Sequence, residues 1–381
     1  MKQRIDFYVR CILIFAILLT VDFSRASAGE LKENTIISEE DFDFKEVQRV
    51  IDDSGYRDLS FYEVIKSIMN GKSDNIIGTT IKKKVNDLTI ETKVQKKMIT
   101  SLVLIIILSG IMTNFTSILT KDYSDGLAYL IFYIALMGVL ISYFLSAFEI
   151  ADEVMNTIIN FMTALIPTFF LSVGIVNQTG AIGFYKIIVC VIYFVELIFL
   201  KVIMPLIKIY IMLVFSNEIG RENALSNSID LFKKCIVSLN KYLLGIVFGI
   251  NILQGLVVPD IEIMKNGMVK KLTTALPVVG DGKEYILSLF VNSAMLIKNS
   301  IGLGAIIILL IICIFPIIKI AISYIMLRLC CAVMQPVAQS GMVKCIVKIS
   351  DAIMLLLKSV VTILIMFVIT IAIVCYSTNR W

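Results

Sequence analysis

Histidine is missing from this chain, and tryptophan occurs once in 381 residues. Without histidine there is no side chain whose ordinary titration falls near neutral pH, and the commonest metal ligand is gone. The other signatures of catalysis are missing too. There is no Walker A loop, no zincin motif and no serine elbow, and Gly302-x-Gly304 is far too little to bind phosphate. No cysteine stands in a C-x-x-C pair. Cys11, Cys190, Cys235, Cys313, Cys330, Cys331, Cys345 and Cys375 all lie in apolar segments or at their ends, where a thiol behaves as a small hydrophobe. No enzyme, metal site or cofactor is expected. Charge is also scarce: 17% of residues are charged, and the net charge of +5 is spread along the chain, so nucleic acid is not an expected partner.

What fills the space is apolar. Hydrophobic residues make up 58% of the chain, the mean hydropathy is +0.89, and apolar runs of 18 residues or more recur. These features predict an all-α fold, a polytopic membrane helical bundle. The N-terminus reads as a secretory signal. Lys2, Arg4 and Arg10 precede the short apolar run Cys11–Val21, and Ala26-Ser27-Ala28 is a small-x-small cleavage pattern. Residues 1–28 are therefore assigned to a signal peptide. An uncleaved anchor is the alternative, and both put residues 29–97 outside the cytoplasm.

Residues 29–97 are expected to form a small extracytoplasmic helical domain. Ser38-Glu39-Glu40-Asp41 starts one helix, which continues through Val47, Val50 and Ile51 to a stop near Gly55. Ser60-x-x-Glu63 is a capping box before a second helix, ended by Gly71. Glu30–Glu63 carries 11 acids and 4 bases, Val64–Lys97 carries 3 acids and 8 bases, so the segment is electrostatically polarised. Two readings fit: solvated amphipathic helices leading to the membrane, or a docking surface with its basic part near anionic lipid.

Residues 98–381 are the polytopic domain. The expected apolar segments are Met98–Leu119, Leu127–Phe148, Val154–Val176, Ile182–Phe215, Cys235–Val258, Ile301–Val333 and Cys345–Cys375, for a total of about six to eight crossings at ~20 residues each. Lys271–Lys298 reads as an interfacial or re-entrant element. An internal duplication is also expected. Thr163-Ala164-Leu165-Ile166-Pro167 is echoed by Thr274-Ala275-Leu276-Pro277, Pro205-Leu206-Ile207-Lys208-Ile209 by Pro316-Ile317-Ile318-Lys319-Ile320, Ile211-Met212-Leu213 by Ile325-Met326-Leu327, and Lys234-Cys235-Ile236-Val237 by Lys344-Cys345-Ile346-Val347. The matches keep their order at an offset of about 110 residues, which gives repeat units of about 162–256 and 272–367. Each unit is expected to hold a proline hairpin or partial span, a long proline-broken helix and a final span. If the first element crosses, the units are inverted; if it re-enters, they are parallel. Gly245-x-x-x-Gly249 is a weak close-packing pattern.

Charges inside spans each cost about 2.5–3.5 kcal/mol at a helix centre, so those present are informative. Glu196, Lys201, Lys208, Lys319, Arg328 and Asp351 are the candidates for a polar membrane pathway, with Lys201 a partner for Glu196. Lys208 and Lys319 follow Pro205 and Pro316 at the same spacing. Each either lines a polar path, satisfies the carbonyl its proline frees, or snorkels to the headgroups. Lys186 and Lys358 read as snorkelling. Pro167, Pro205, Pro277 and Pro316 are expected to kink their helices.

Several stretches resemble one family over nearly the whole chain. They are Leu59-Ser60-Phe61-Tyr62-Glu63 ending in Asn70-Gly71, Phe161-Met162-x-Ala164-Leu165-Ile166-Pro167, Leu276-Pro277-Val278-Val279-Gly280, Leu296-Ile297-Lys298-Asn299-Ser300-Ile301-Gly302-Leu303 and Phe315-Pro316-Ile317-Ile318-Lys319. Together with the signal, they are similar to the stage III sporulation protein AE family of endospore-forming bacteria. That resemblance implies a multi-pass protein of the mother-cell membrane around the forespore. It implies a non-enzymatic place in a channel, or feeding-tube, complex that keeps the forespore intact and supports its late transcription. The implied partners are a cytoplasmic secretion-type ATPase, ring-forming membrane proteins, a forespore membrane protein and the lipid bilayer. It implies no catalytic residues. The alternative, from the duplication and intramembrane charges, is a stand-alone secondary transporter with its path at the repeat interface.

Overall fold

The computed structural model describes residues 43–69, 97–111, 124–176, 178–219, 224–273, 281–336 and 340–377. Among the described residues there is no strand. Two short helices come first, α1 (Lys45–Asp53) and α2 (Phe61–Met69), followed by the apolar helix α3 (Lys97–Ile111). Then come α4 (Ser124–Val176), α5 (Gln178–Ile198), a π-helical turn (Phe199–Ile203) and α6 (Met204–Ile219). The last three are α7 (Ser226–Thr273), α8 (Asp281–Met334) and α9 (Ser340–Ser377).

Among the described residues, five stretches are long and apolar enough to cross a membrane: Leu130–Gly174, Tyr185–Asn217, Ser226–Gln254, Met295–Met334 and Gly341–Ser377. Helix α9 is the most buried of them and packs on α4, α6, α7 and α8. Side-chain pairs fix the directions. Tyr143 Oη on α4 donates to Ser323 O on α8, and Phe169 and Gly302 lie together further along, so α4 and α8 are antiparallel. Cys345 Sγ meets Met137 Sδ at 3.4 Å, so α9 starts beside the early part of α4 and runs with it. Lys233 pairs with Asp351 and Asn251 with Thr370, which makes α7 and α9 parallel. The α6–α7 and α8–α9 pairs therefore run in the same sense.

Several sequence expectations are corrected. Leu127–Phe148 and Val154–Val176 are one unbroken helix. Glu149, Asp152 and Glu153 end an apolar run, but they do not end a helix, because their backbone N–H and C=O groups are satisfied within it and Glu is a good helix former. No proline hairpin forms at Pro167, which sits inside α4 on its exposed face. Pro316 likewise lies inside α8. The Lys271–Lys298 segment, expected as an interfacial or re-entrant element, lies partly outside the described residues; α7 runs to Thr273 and α8 starts at Asp281. Pro277, the signal with Ala26 and Ala28, and the second half of the Met98–Leu119 segment lie outside the described residues. At Pro205 the helix path continues, but the preceding turn widens to π geometry. A proline ring in a regular α-helix collides with the carbonyl four residues back, here that of Lys201, and a wide turn relieves it.

Among the described residues nothing stands within 4 Å of where a Cβ on Gly245 or Gly249 would lie, so their pattern makes no close packing there. The glycines of Ile301-Gly302-Leu303-Gly304 are used. A Cβ on Gly302 would overlap Cys375 Sγ on α9 and press on Phe169 of α4. A Cβ on Gly304 would stand 3.2 Å from Ile65 of α2. These two glycines let α8 be approached closely from two sides.

The α1–α2 hairpin is part of this bundle. Its apolar side, with Phe44, Val47, Ile51, Leu59, Phe61, Val64 and Ile65 buried, packs α1 on α4 and α2 on α8. The helix expected to start at Ser38-Glu39-Glu40-Asp41 begins instead at Lys45, after non-helical Asp43 and Phe44. Helix α1 stops as expected, at Gly55 with φ 79°, a left-handed conformation that glycine adopts without a Cβ clash. Glu63 N donates to Ser60 Oγ at 3.4 Å, the first half of the capping box. Gln48 then ties the hairpin together. Its Nε2 donates to Leu59 O at 3.0 Å, and its Oε1 accepts from Phe61 N at 2.9 Å. Phe61 meets Phe161 of α4 edge-on at 6.5 Å. Thr168 Oγ1 donates to Asp43 O at 2.8 Å, and Tyr56 Oη to Ile311 O at 3.1 Å. Tyr56→Phe removes the last bond and should weaken docking by ~1 kcal/mol. Faster proteolytic cutting in the hairpin, at unchanged far-UV dichroism, is the expected readout.

Candidate functional site

The polar centre of the bundle is carried by Asp351 on α9. Its carboxylate accepts from Lys233 of α7 through Oδ2 and from Arg328 of α8 through Oδ1. Three helices are thereby joined at one side chain. The side chains of Lys233, Arg328 and Asp351 are 40%, 27% and 19% exposed, so the carboxylate is the most sheltered of the three. Arg328 also lies over the Tyr324 ring at 5.6 Å, while its Nε–H is buried without an acceptor. One turn of α9 earlier, Lys348 O accepts from Tyr210 Oη of α6 at 3.5 Å. The cluster holds two cations against one anion and has a spare buried donor. It can clamp helices together, and it can take a further acceptor such as water or an anion.

Of the six charged candidates, this geometry brings together Arg328 and Asp351. Lys233 was not singled out in the sequence. It stands next to Lys234, which the duplication pattern does pick out, and only the packing of α7 on α9 reveals its partner. The other four are not assembled with them. Glu196 is half-buried near the end of α5 and Lys201 is exposed in the π turn, and no ion pair joins them. The expected partnership is thus corrected: past the α-helical part, the wider turn carries the lysine round to an exposed position. Lys208 is exposed on α6, with Nζ over the Phe148 ring of α4 at 4.4 Å. Its charge is used against an aromatic face rather than a freed carbonyl. Lys319 is half-buried and its carbonyl accepts from Ser323 Oγ at 3.0 Å.

Further along the α7–α9 seam lies an uncharged polar set. Asn251 Nδ2 donates to Thr370 Oγ1 and to Val247 O, both at 2.9 Å, while its Oδ1 is buried without a partner. Asn240 donates to Ile236 O and also leaves Oδ1 unpaired. Lys298 of α8 is wholly buried, beside Cys375. The described cysteines form no disulfide.

Long apolar helices, a packed interior and a charge clamp inside it define a multi-pass helical membrane protein. The chain matches the family described as stage III sporulation protein AE over residues 59–378, and it belongs to that family. It is 22% identical over 287 residues to Stage III sporulation protein AE of Bacillus subtilis (strain 168), covering 74% of this chain and 71% of that protein. No solved structure matches it.

Proposed function

We propose that this chain is a non-enzymatic integral component of a channel complex between mother cell and forespore, required for endospore development and late forespore gene expression. The observation that carries this reading is family membership across residues 59–378, together with five membrane-length apolar helices among the described residues. Partners in this reading are a cytoplasmic ATPase, ring-forming membrane proteins and a forespore membrane protein.

The same reading gives an orientation. Residues 1–28 are the signal, residues 29–97 are extracytoplasmic, and residues 98–381 form the membrane domain. With the hairpin outside, α3 leads inward, α4 outward, α5–α6 inward, α7 outward, α8 inward and α9 outward. The C-terminus then lies on the hairpin's side. Lys233, Lys234, Arg328, Lys344 and Lys348 gather toward the α6–α7 and α8–α9 turns, which would be cytoplasmic, in keeping with the positive-inside rule. A duplication of about 110 residues would be of the parallel kind, since the two helix pairs run in one sense.

The charged clamp at Asp351 favours one second reading, a stand-alone secondary transporter. Two measurements on the full-length protein separate them. Affinity capture from sporulating cells should recover the ATPase and ring proteins, and the purified chain in proteoliposomes should carry no solute flux. Flux by the chain alone, lost on Asp351→Asn, would favour the transporter.

A further inference from the structure

The α1–α2 hairpin sits deeper than an extracytoplasmic cap should. Asp43, just before α1, meets Thr168 of α4. The hairpin's tip meets the bundle further in, at Phe161 through Phe61 and at Ile311 through Tyr56. The chain then climbs back, with Ile65 against Gly304. Phe161 is about 10 Å along α4 from Thr168, and Ile311 about 10 Å along α8 from Gly304, at 1.5 Å per residue. Both helices give the same depth for the tip, beside Ile301-Gly302-Leu303-Gly304-Ala305-Ile306-Ile307-Ile308-Leu309-Leu310-Ile311, in the span of highest hydropathy.

Another sector of the bundle fixes what surrounds that level. Phe170 of α4 packs on Tyr185 of α5 at 5.7 Å. From there α5 descends antiparallel to α4, and Tyr193 comes level with Met162, beside the hairpin tip's own level. Tyr193 is 65% exposed, and Val189, Phe194 and Leu197 are exposed with it. That sector presents a mainly apolar face, with half-buried Glu196 at its lower edge. At that depth the hairpin's turn, which is not helical, exposes Arg57, and Arg49, Glu63 and Lys66 are exposed between the tip and the level of Gly304. A charge facing lipid costs about 2.5–3.5 kcal/mol at a helix centre. Irregular backbone at membrane depth persists only where protein buries it or water reaches it.

We propose that α1–α2 is a re-entrant hairpin, dipping into the bilayer plane along the α4–α8 groove, and that its charged outer face lines a water-filled vestibule. The vestibule opens to the side from which the hairpin enters. Its wall carries both signs of charge, so it admits small hydrophilic solutes of either sign. This inference rests on the membrane fold and not on the channel reading, and it survives if that reading fails.

The test is thiol accessibility in the full-length chain in liposomes, opened by freeze–thaw so that reagent reaches both faces. Exposed Cys190 and Cys235 are replaced by serine, and one cysteine at a time is added to that background, Arg57→Cys or Tyr193→Cys, with the background protein itself as the zero. Modification by a charged, membrane-impermeant thiosulfonate needs a hydrated thiolate, so Arg57→Cys should react at least about tenfold faster than Tyr193→Cys. Glu63→Cys repeats the reading from α2 should Arg57→Cys not fold. Fast reaction at both sectors would mean that this end of the bundle stands clear of the bilayer. Slow reaction at both would mean that no water reaches the tip. Either result overturns the proposal.

Discussion

Asp351→Ala should destabilise the bundle by about 2–3 kcal/mol, more than the loss of either cation alone. Removing one member of a buried ion pair typically costs about 3–5 kcal/mol, because the remaining charge stays desolvated without compensation. Here the partners are only partly sheltered, Lys233 at 40% and Arg328 at 27% exposure, which lowers the figure. Two cations would face each other across α7, α8 and α9 with nothing between them. The direct check is unfolding in mixed detergent micelles, comparing the wild type with Asp351→Ala. A second variant removes the alternative that any change at this position is harmful. Lys233→Met, Arg328→Met and Asp351→Leu together take away all three charges, and should recover most of the loss, since apolar replacements of a buried ion set are often neutral or better. Failure of the triple variant to recover would mean that Asp351 acts through something other than its two partners.

Gly302→Leu should be at least as damaging, at about 3 kcal/mol, by a different route. The Gly302 Cα faces α9 and α4 at once, with Cys375, Phe169 and Ile371 around the place a Cβ would take. A rotation of the Cys375 side chain can make room for one carbon. No rotation makes room for four, so α8 would have to move off α9, the most buried helix. Overpacking of this kind costs about 1–3 kcal/mol and more where backbone must shift. Gly245→Leu is the contrast, since no described residue stands within 4 Å of its Cβ position. The same unfolding assay should return a value near wild type for it. Equal losses at both glycines would contradict the packing described for α8.

The sequence was most readable where a local rule acts alone. Gly55 ends α1 because a left-handed turn favours glycine, and Ser60 caps α2 because its hydroxyl reaches the Glu63 amide. Hydropathy found the apolar segments, but it misjudged where helices end. Glu149 to Glu153 change the environment of α4 without breaking its hydrogen-bond ladder. The proline hairpin was the misreading: Pro167 and Pro316 lie inside continuous helices. The charged site was half legible. Arg328 and Asp351 stand out as costly charges in apolar segments, but Lys233 belongs with them only because α7 and α9 run side by side. The docking of the hairpin had no visible signal. Its apolar face reads as an ordinary amphipathic pair, and Gly304, which receives Ile65, stood out only as part of a pattern too short to bind phosphate.

The proposed role of this chain is in the channel between mother cell and forespore. A clean deletion in the native host, imaged through sporulation with a late forespore reporter, tests it most directly. The expected result is completed engulfment, followed by collapsing forespores in which the reporter stays dark, with both defects repaired by the wild-type chain. Normal spores with a bright reporter would contradict the account.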